Sequence, residues 1–93
     1  MKNIINDDCI AAMREMPENS VTAIITDPPY GLEFMGKEWD RGVPGVPFWA
    51  GALRVLKPGG HALIFGGTRT FHRLACAVED AGFEIRDCLS WMY

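Results

Sequence analysis

No stretch of this 93-residue chain approaches the roughly 20 apolar residues of a membrane span, and no basic segment followed by an apolar one marks a secretory leader. Cysteine is sparse. Cys9, Cys76 and Cys88 are odd in number, and none stands in a Cys-x-x-Cys pair. That argues against a disulfide framework or a metal site and for buried, reduced thiols in a cytoplasmic protein. Basic charge is also short: 9 Lys and Arg against 12 Asp and Glu give a net charge of −3, a poor footprint for gripping nucleic acid unaided. No glycine-rich turn stands between a strand pattern and a helix pattern. Gly36, Gly42 and Gly45 lie among tryptophan, proline and charge, and Gly59-Gly60 and Gly66-Gly67 merely flank one short apolar run. What remains is a chain with 48% hydrophobic residues. It is ample for one domain that buries roughly 60–65% of its unfolded surface.

The most informative segment is Asp27-Pro28-Pro29-Tyr30, directly after the apolar run Val21 to Thr26. Consecutive β-branched and apolar residues predict a strand covered on both faces. Each proline disfavours the helical region for the residue before it, so the chain leaves the strand extended. Neither proline carries an N–H, so the carbonyls are not committed to a helix. Asp27 can accept a hydrogen bond from an amino N–H, Pro28 C=O a second, and Tyr30 offers a ring face for stacking. Together they suit a flat nitrogen heterocycle and its exocyclic amino group.

The residues around this tetrapeptide resemble a family, the amino-directed DNA methyltransferases that act on adenine N6 or cytosine N4. Their catalytic motif is (D/N/S)-P-P-(Y/F/W). Asn6-Asp7-Asp8-Cys9 resembles the family's G-D-C segment, with Asp7 where glycine is usual. Met16 to Val21 resembles L-P-D-N-S-V, and Arg54-Val55-Leu56-Lys57-Pro58-Gly59-Gly60 looks like R-V-L-K-P-G-G. Glu79 to Asp87 and Trp91-Met92-Tyr93 continue the match, which runs in order over nearly the whole chain. The cofactor turn of these enzymes, F-x-G-x-G or D-P-F-x-G-S-G, is missing. In one subclass the catalytic half precedes the glycine-rich half. The chain resembles the first segment of such a permuted enzyme, a partial catalytic domain over residues 1–93.

The organisation predicts an α/β fold, a partial Rossmann-like methyltransferase fold with a mainly parallel sheet and flanking helices. Lys2 to Ile5 reads as a short strand. Asp7 or Asp8 caps a helix over Cys9 to Met16 that Pro17 helps to end. Residues 31–47 lack a sustained period and read as a long active-site loop. Pro47 suits the first turn of a helix with Phe48, Trp49, Ala52, Leu53 and Leu56 on one side. Lys57-Pro58-Gly59-Gly60 stops that helix, and His61 to Phe65 forms a second buried strand. Thr68 caps a helix with Phe71, Leu74, Ala75 and Val78 inward, closed by Gly82. Phe83 to Met92 then reads as one long strand or a hairpin.

Individual positions carry two readings each. Asp27 either caps a turn or acts at the carboxyl end of a central strand, where α/β sheets bind ligands; the second is preferred. Tyr30 is likewise read as stacking on a base before it is read as a surface ring. Asp8 is a helix cap or, as the resemblance implies, a contact to the adenosine part of the cofactor. Trp39 and Asp40 echo a W-D found in relatives, and either line the base pocket or pack on the core. Trp91 and Tyr93 are core at a strand's end or shape the target pocket. Arg69, His72 and Arg73 form a solvated basic face or touch phosphate, the solvated reading being preferred. His61 reads as structural, and Met13, Met16, Leu53 and Leu56 as core.

The resemblance implies methyl transfer from S-adenosylmethionine to a flipped base in double-stranded DNA, in a restriction–modification setting. Asp27, Pro28, Pro29 and Tyr30 would be catalytic, and adenine is preferred over cytosine because Asp opens the motif. It also implies that this chain binds the cofactor weakly or not at all. Two other readings stand beside it. One is a silent remnant that self-associates as a small dimeric α/β protein, while the methyltransferase reading itself carries a homodimer or a complementing C-terminal half as partner. The other, ranked last, is a methyltransferase acting on RNA guanine or a protein glutamine amide.

Overall fold

The computed structural model describes residues 3–31 and 42–92. Its elements run α1 (Cys9–Arg14), β1 (Val21–Thr26), α2 (Val46–Val55), β2 (Leu56–Ile64) and α3 (Phe71–Asp80). The two strands pair in parallel, with Ala23, Ile24, Ile25 and Thr26 facing His61, Ala62, Leu63 and Ile64. An α/β arrangement with a small parallel sheet is therefore present.

Asp8 caps α1: its carboxylate accepts the Ala11 N–H at 3.1 Å. That satisfies one of the donors a helix start leaves unpaired. The other end of α1 is held from a distance. The Arg54 guanidinium donates to the carbonyls of Met13 at 2.6 Å and Met16 at 2.8 Å, pinning α1 onto α2. Asn19, at φ 53°, turns the chain into β1, a conformation asparagine tolerates better than most residues. Its N–H and that of Ser20 bond the carbonyls of Arg54 and Val55. The start of β1 is thus fastened to the end of α2.

Trp49 and Ala52 of α2 and Leu74 and Val78 of α3 make the buried core, with Met13, Ile24, Phe48, Ile64 and Phe83 packed around it. Trp49 is 1% exposed, and its indole N–H donates to the Pro44 carbonyl at 2.9 Å. A large ring is thereby buried without an orphaned donor. The third helix ends in a reciprocal pair of backbone bonds, Gly82 N–H to Glu79 and Phe83 N–H to Val78, with Gly82 at φ 118°. This left-handed cap suits glycine.

Several expectations are corrected. The strand β1 is not covered on both faces. The core around α2 and α3 meets Ile24 and Ile64, leaving their opposite-facing neighbours Ile25 and Leu63 71% and 52% exposed. Lys57-Pro58-Gly59-Gly60 does not stop a helix but forms an irregularity inside β2, where the register jumps between Val21 and Ala23. A Cβ at Gly60 would meet the Thr22 carbonyl oxygen at 2.8 Å, so the bulge demands the missing side chain. Leu56 accordingly opens the strand and does not extend the helical stripe. Residues 3–5 and 83–92 form no strand, because neither segment pairs with a strand among the described residues. Thr70, not Thr68, sits at the cap of α3, and Phe71 is 48% exposed. Cys9, Cys76 and Cys88 are exposed and free, not buried, since none falls on the inward stripe of its segment. No helix among the described residues is long and apolar enough to cross a membrane.

Candidate active site

At the carboxyl end of the sheet the ladder closes with the Phe65 N–H bonded to the Thr26 carbonyl at 3.0 Å. Two segments leave this end side by side, Asp27 to Tyr30 from β1 and Phe65 to Thr70 from β2. Topology alone makes it the end where parallel sheets present ligand-binding groups. Asp27 is exposed, Pro28 is buried, and Pro29 and Tyr30 are half-buried. The extended proline pair thus anchors the backbone while the carboxylate faces outward. Among the described residues no hydrogen bond engages the Pro28 carbonyl.

The phenol of Tyr30 is held in its protonated form by Asp27. Hydrogen bonding toward that carboxylate, then burial, then its charge raise the Tyr30 pKa above its ordinary value of 10.0. A phenolate beside a carboxylate would be repelled and poorly solvated, so Tyr30 stays a neutral donor. The ring is seated from below by the second segment. A Cβ added at Gly67 would lie 3.3 Å from Tyr30 Cδ2, so only a glycine leaves the ring ordinary contact distance. The Thr70 hydroxyl donates to the Tyr30 carbonyl. The sequence reading missed both Gly67 and Thr70. A Gly-Gly pair after a strand was visible in the sequence, but nothing there tied it to residues about forty positions earlier.

Of the other sequence candidates, Trp91 reaches this end: its ring packs on Phe65 with centroids 5.7 Å apart, while 75% of the residue remains exposed. Asp8 is exposed and committed to capping α1. Trp39, Asp40 and Tyr93 lie outside the described residues.

The S-adenosylmethionine implied by the resemblance needs a backbone cradle after a strand. Gly67 is filled by Tyr30, and a Cβ at Gly66 would meet Leu74 Cδ2 at 3.0 Å, so neither glycine opens toward a ligand. A cavity of about 210 Å³ between α1 and α2 is lined by Ile10, Met13 and Phe48 together with Arg14 and Arg54. It offers no carboxylate for a ribose hydroxyl, an ammonium or a sulfonium. The described residues do not fit the cofactor.

Comparison with known proteins agrees with the motif. The family described as DNA methylase matches residues 21–93. The type II methyltransferase M.HindIII of Haemophilus influenzae is 28% identical over 131 aligned positions, covering 95% of this chain and 42% of that protein. M.HpaI of Haemophilus parainfluenzae is 31% identical, covering 99% of this chain and 32% of that protein. M.BamHI of Bacillus amyloliquefaciens is 34% identical over 67% of this chain and 16% of that protein. The chain therefore spans less than half the length of each of these relatives. No solved structure matches it significantly. With its motif at the carboxyl end of a parallel strand and a family match across 73 of its residues, the chain belongs to the N6/N4 DNA methylase family.

Proposed function

We propose that this chain is the base-presenting part of a DNA methyltransferase, holding the exocyclic amino group of a flipped base for methylation, adenine N6 in preference to cytosine N4. The observation that carries the reading is the Asp27–Tyr30 pair at the carboxyl end of β1. An adenine inside a duplex is out of reach, and extruding it costs a few kcal/mol. The amino nitrogen is a poor nucleophile because its lone pair is delocalised into the ring. Asp27 and the Pro28 carbonyl would accept its two hydrogens and favour a pyramidal nitrogen, freeing that lone pair. A carboxylate has about four acceptor positions, so Asp27 can hold the base and the Tyr30 phenol together. Positioning and preorganised charge would supply the acceleration. No covalent enzyme intermediate is needed, so the cysteines have no part.

The methyl donor implied by family membership is S-adenosylmethionine, and the described residues give it no cradle. We therefore read the chain as acting with further polypeptide, either a complementing half or a longer chain. Trp91, packed on Phe65, supports a place for it beside the base; Trp39, Asp40 and Tyr93 are proposed for the same pocket on the resemblance alone.

The test joins this chain to the remaining length of M.HpaI and follows single-turnover methylation of adenine-containing duplex DNA. Asp27→Ala should lower the rate by about 10²–10³, as losing one preorganised polar group does in comparable sites, and Asp27→Asn should lower it less. Retention of most of the rate in Asp27→Ala would make the carboxylate a turn cap and the reading wrong.

A further inference from the structure

The net charge of −3 conceals a sharp asymmetry. From residue 41 to residue 78 the sequence contains five Lys and Arg and no Asp or Glu; every carboxylate side chain lies before or after that stretch. Not all of those cations are available. Arg54 is consumed in holding the end of α1. Lys57 is exposed but lies at the amino end of the sheet, beside the Val21 to Leu56 register pair. Arg69 and Arg73 differ. Both are exposed, and neither has an ion pair or hydrogen-bond partner for its side chain among the described residues. Arg69 lies in the turn that leads to Thr70 at the start of α3, and Arg73 lies in the first turn of the helix, its N–H on the Thr70 carbonyl. Arg69 thus stands three and four residues before His72 and Arg73, and no acidic residue occupies the first turn of α3.

This turn is fixed to the active-site motif. Thr70, next in sequence to Arg69, donates its hydroxyl to the Tyr30 carbonyl, and Gly67 lies against the Tyr30 ring. The cationic side chains consequently ride on the same rigid piece as the ring proposed to stack on the base. A nucleotide extruded toward Tyr30 stays joined to its neighbours through phosphates a few ångströms away. Two unpaired guanidinium groups, one on the residue before Thr70 and one on the third residue after it, suit such phosphates.

We propose that Arg69 and Arg73, with His72 between them, form a phosphate-binding surface that grips the DNA backbone flanking the base held at Asp27 and Tyr30. The proposal rests on the base-presenting reading of the motif, and extends it to the sugar–phosphate strand. Arg69 and Arg73 position the strand; they do not take part in the chemistry.

The test is fluorescence-anisotropy binding of the 93-residue chain to duplex DNA across a series of salt concentrations, with a fully paired duplex and one carrying an adenine opposite an abasic gap. Each neutralised phosphate contributes about 0.9 to the slope of log affinity against log salt. The Arg69→Ala/Arg73→Ala variant should therefore show a slope smaller by about 2. Arg69→Lys/Arg73→Lys, which keeps the charges, should retain the wild-type slope, and Lys57→Ala, a lost charge at the opposite end of the sheet, should leave it unchanged. An unchanged slope in the double alanine variant would overturn the proposal. So would an equal loss in Lys57→Ala, a loss in the double lysine variant, or no wild-type binding at low salt. The base-presenting reading is scored separately in the same assay: it requires that Tyr30→Ala remove any preference for the gapped duplex.

Discussion

Tyr30 follows Asp27 by three residues at the point where β1 ends, near enough for the carboxylate to raise the pKa of the phenol. The carboxylate thereby acts on the ring that follows it. It also gives the pair a measurable signature. The hydrogen bond, burial and the neighbouring charge all hold the phenol proton, so Tyr30 titrates above 10.0.

With Tyr93→Phe as background, Tyr30 is the only tyrosine, the chain having two, and phenolate absorbance reports it alone. Its midpoint should lie above 10, fall in Asp27→Asn, where the charge is lost but an acceptor oxygen remains, and fall further in Asp27→Ala. The sign for stability follows. A raised folded-state pKa means that the stabilisation is fully present below the unfolded value of about 10 and is lost as pH rises through the folded value. Unfolding free energy should thus decline with pH above 10, and less steeply in Asp27→Ala. A wild-type midpoint at or below 10 would contradict the contact.

The Thr70 hydroxyl, bonded to the Tyr30 carbonyl, ties the two loops at the carboxyl end of the sheet. Thr70→Val keeps the shape and removes the donor, leaving a half-buried carbonyl without its partner. Urea unfolding should show a loss of about 0.5–1.5 kcal/mol, the usual net worth of one such bond, while Thr70→Ser should stay near wild type. Equal stability in Thr70→Val and wild type would mean that the loops are held by packing alone.

How much of this was readable from the sequence varies from place to place, for physical reasons. The strand at Val21 to Thr26 was legible to the residue, because β-branched runs and the following prolines act locally. The helices α2 and α3 were legible within a residue or three, their periods being fixed by Trp49, Ala52, Leu74 and Val78. The bulge at Lys57 to Gly60 was not. Pro-Gly-Gly looks like a terminator, and it is the close approach of the Thr22 carbonyl of another strand, together with Leu56 and the Lys57 carbonyl, that shows why glycine is needed there. Phe83 to Met92 has strand-like residues but no pairing neighbour among the described residues, and propensity without a ladder makes no strand. The position of Asp27 at the end of a strand was readable from four letters, whereas the contacts of Tyr30 with Gly67 and Thr70 depend on chain folding over about forty residues.

The same one-sided packing that exposes Ile25 and Leu63 leads to a prediction about assembly. These two residues face each other across the β1–β2 ladder and lie on the face away from the Trp49 core, 71% and 52% exposed. Among the described residues the sheet has two strands, with both of its outer edges unpaired. Open edges and an adjoining apolar face favour association. Sedimentation equilibrium at micromolar concentrations should therefore find dimers or larger species. Ile25→Lys/Leu63→Lys should shift the chain to monomer with its circular dichroism intact, because neither side chain contributes to the core. Ile24→Lys, by contrast, drives a charge into the Trp49 cluster and should unfold the chain outright. A monomeric wild type would sink the prediction. So would a double lysine variant that still associates, since the contact would then have to lie on another surface.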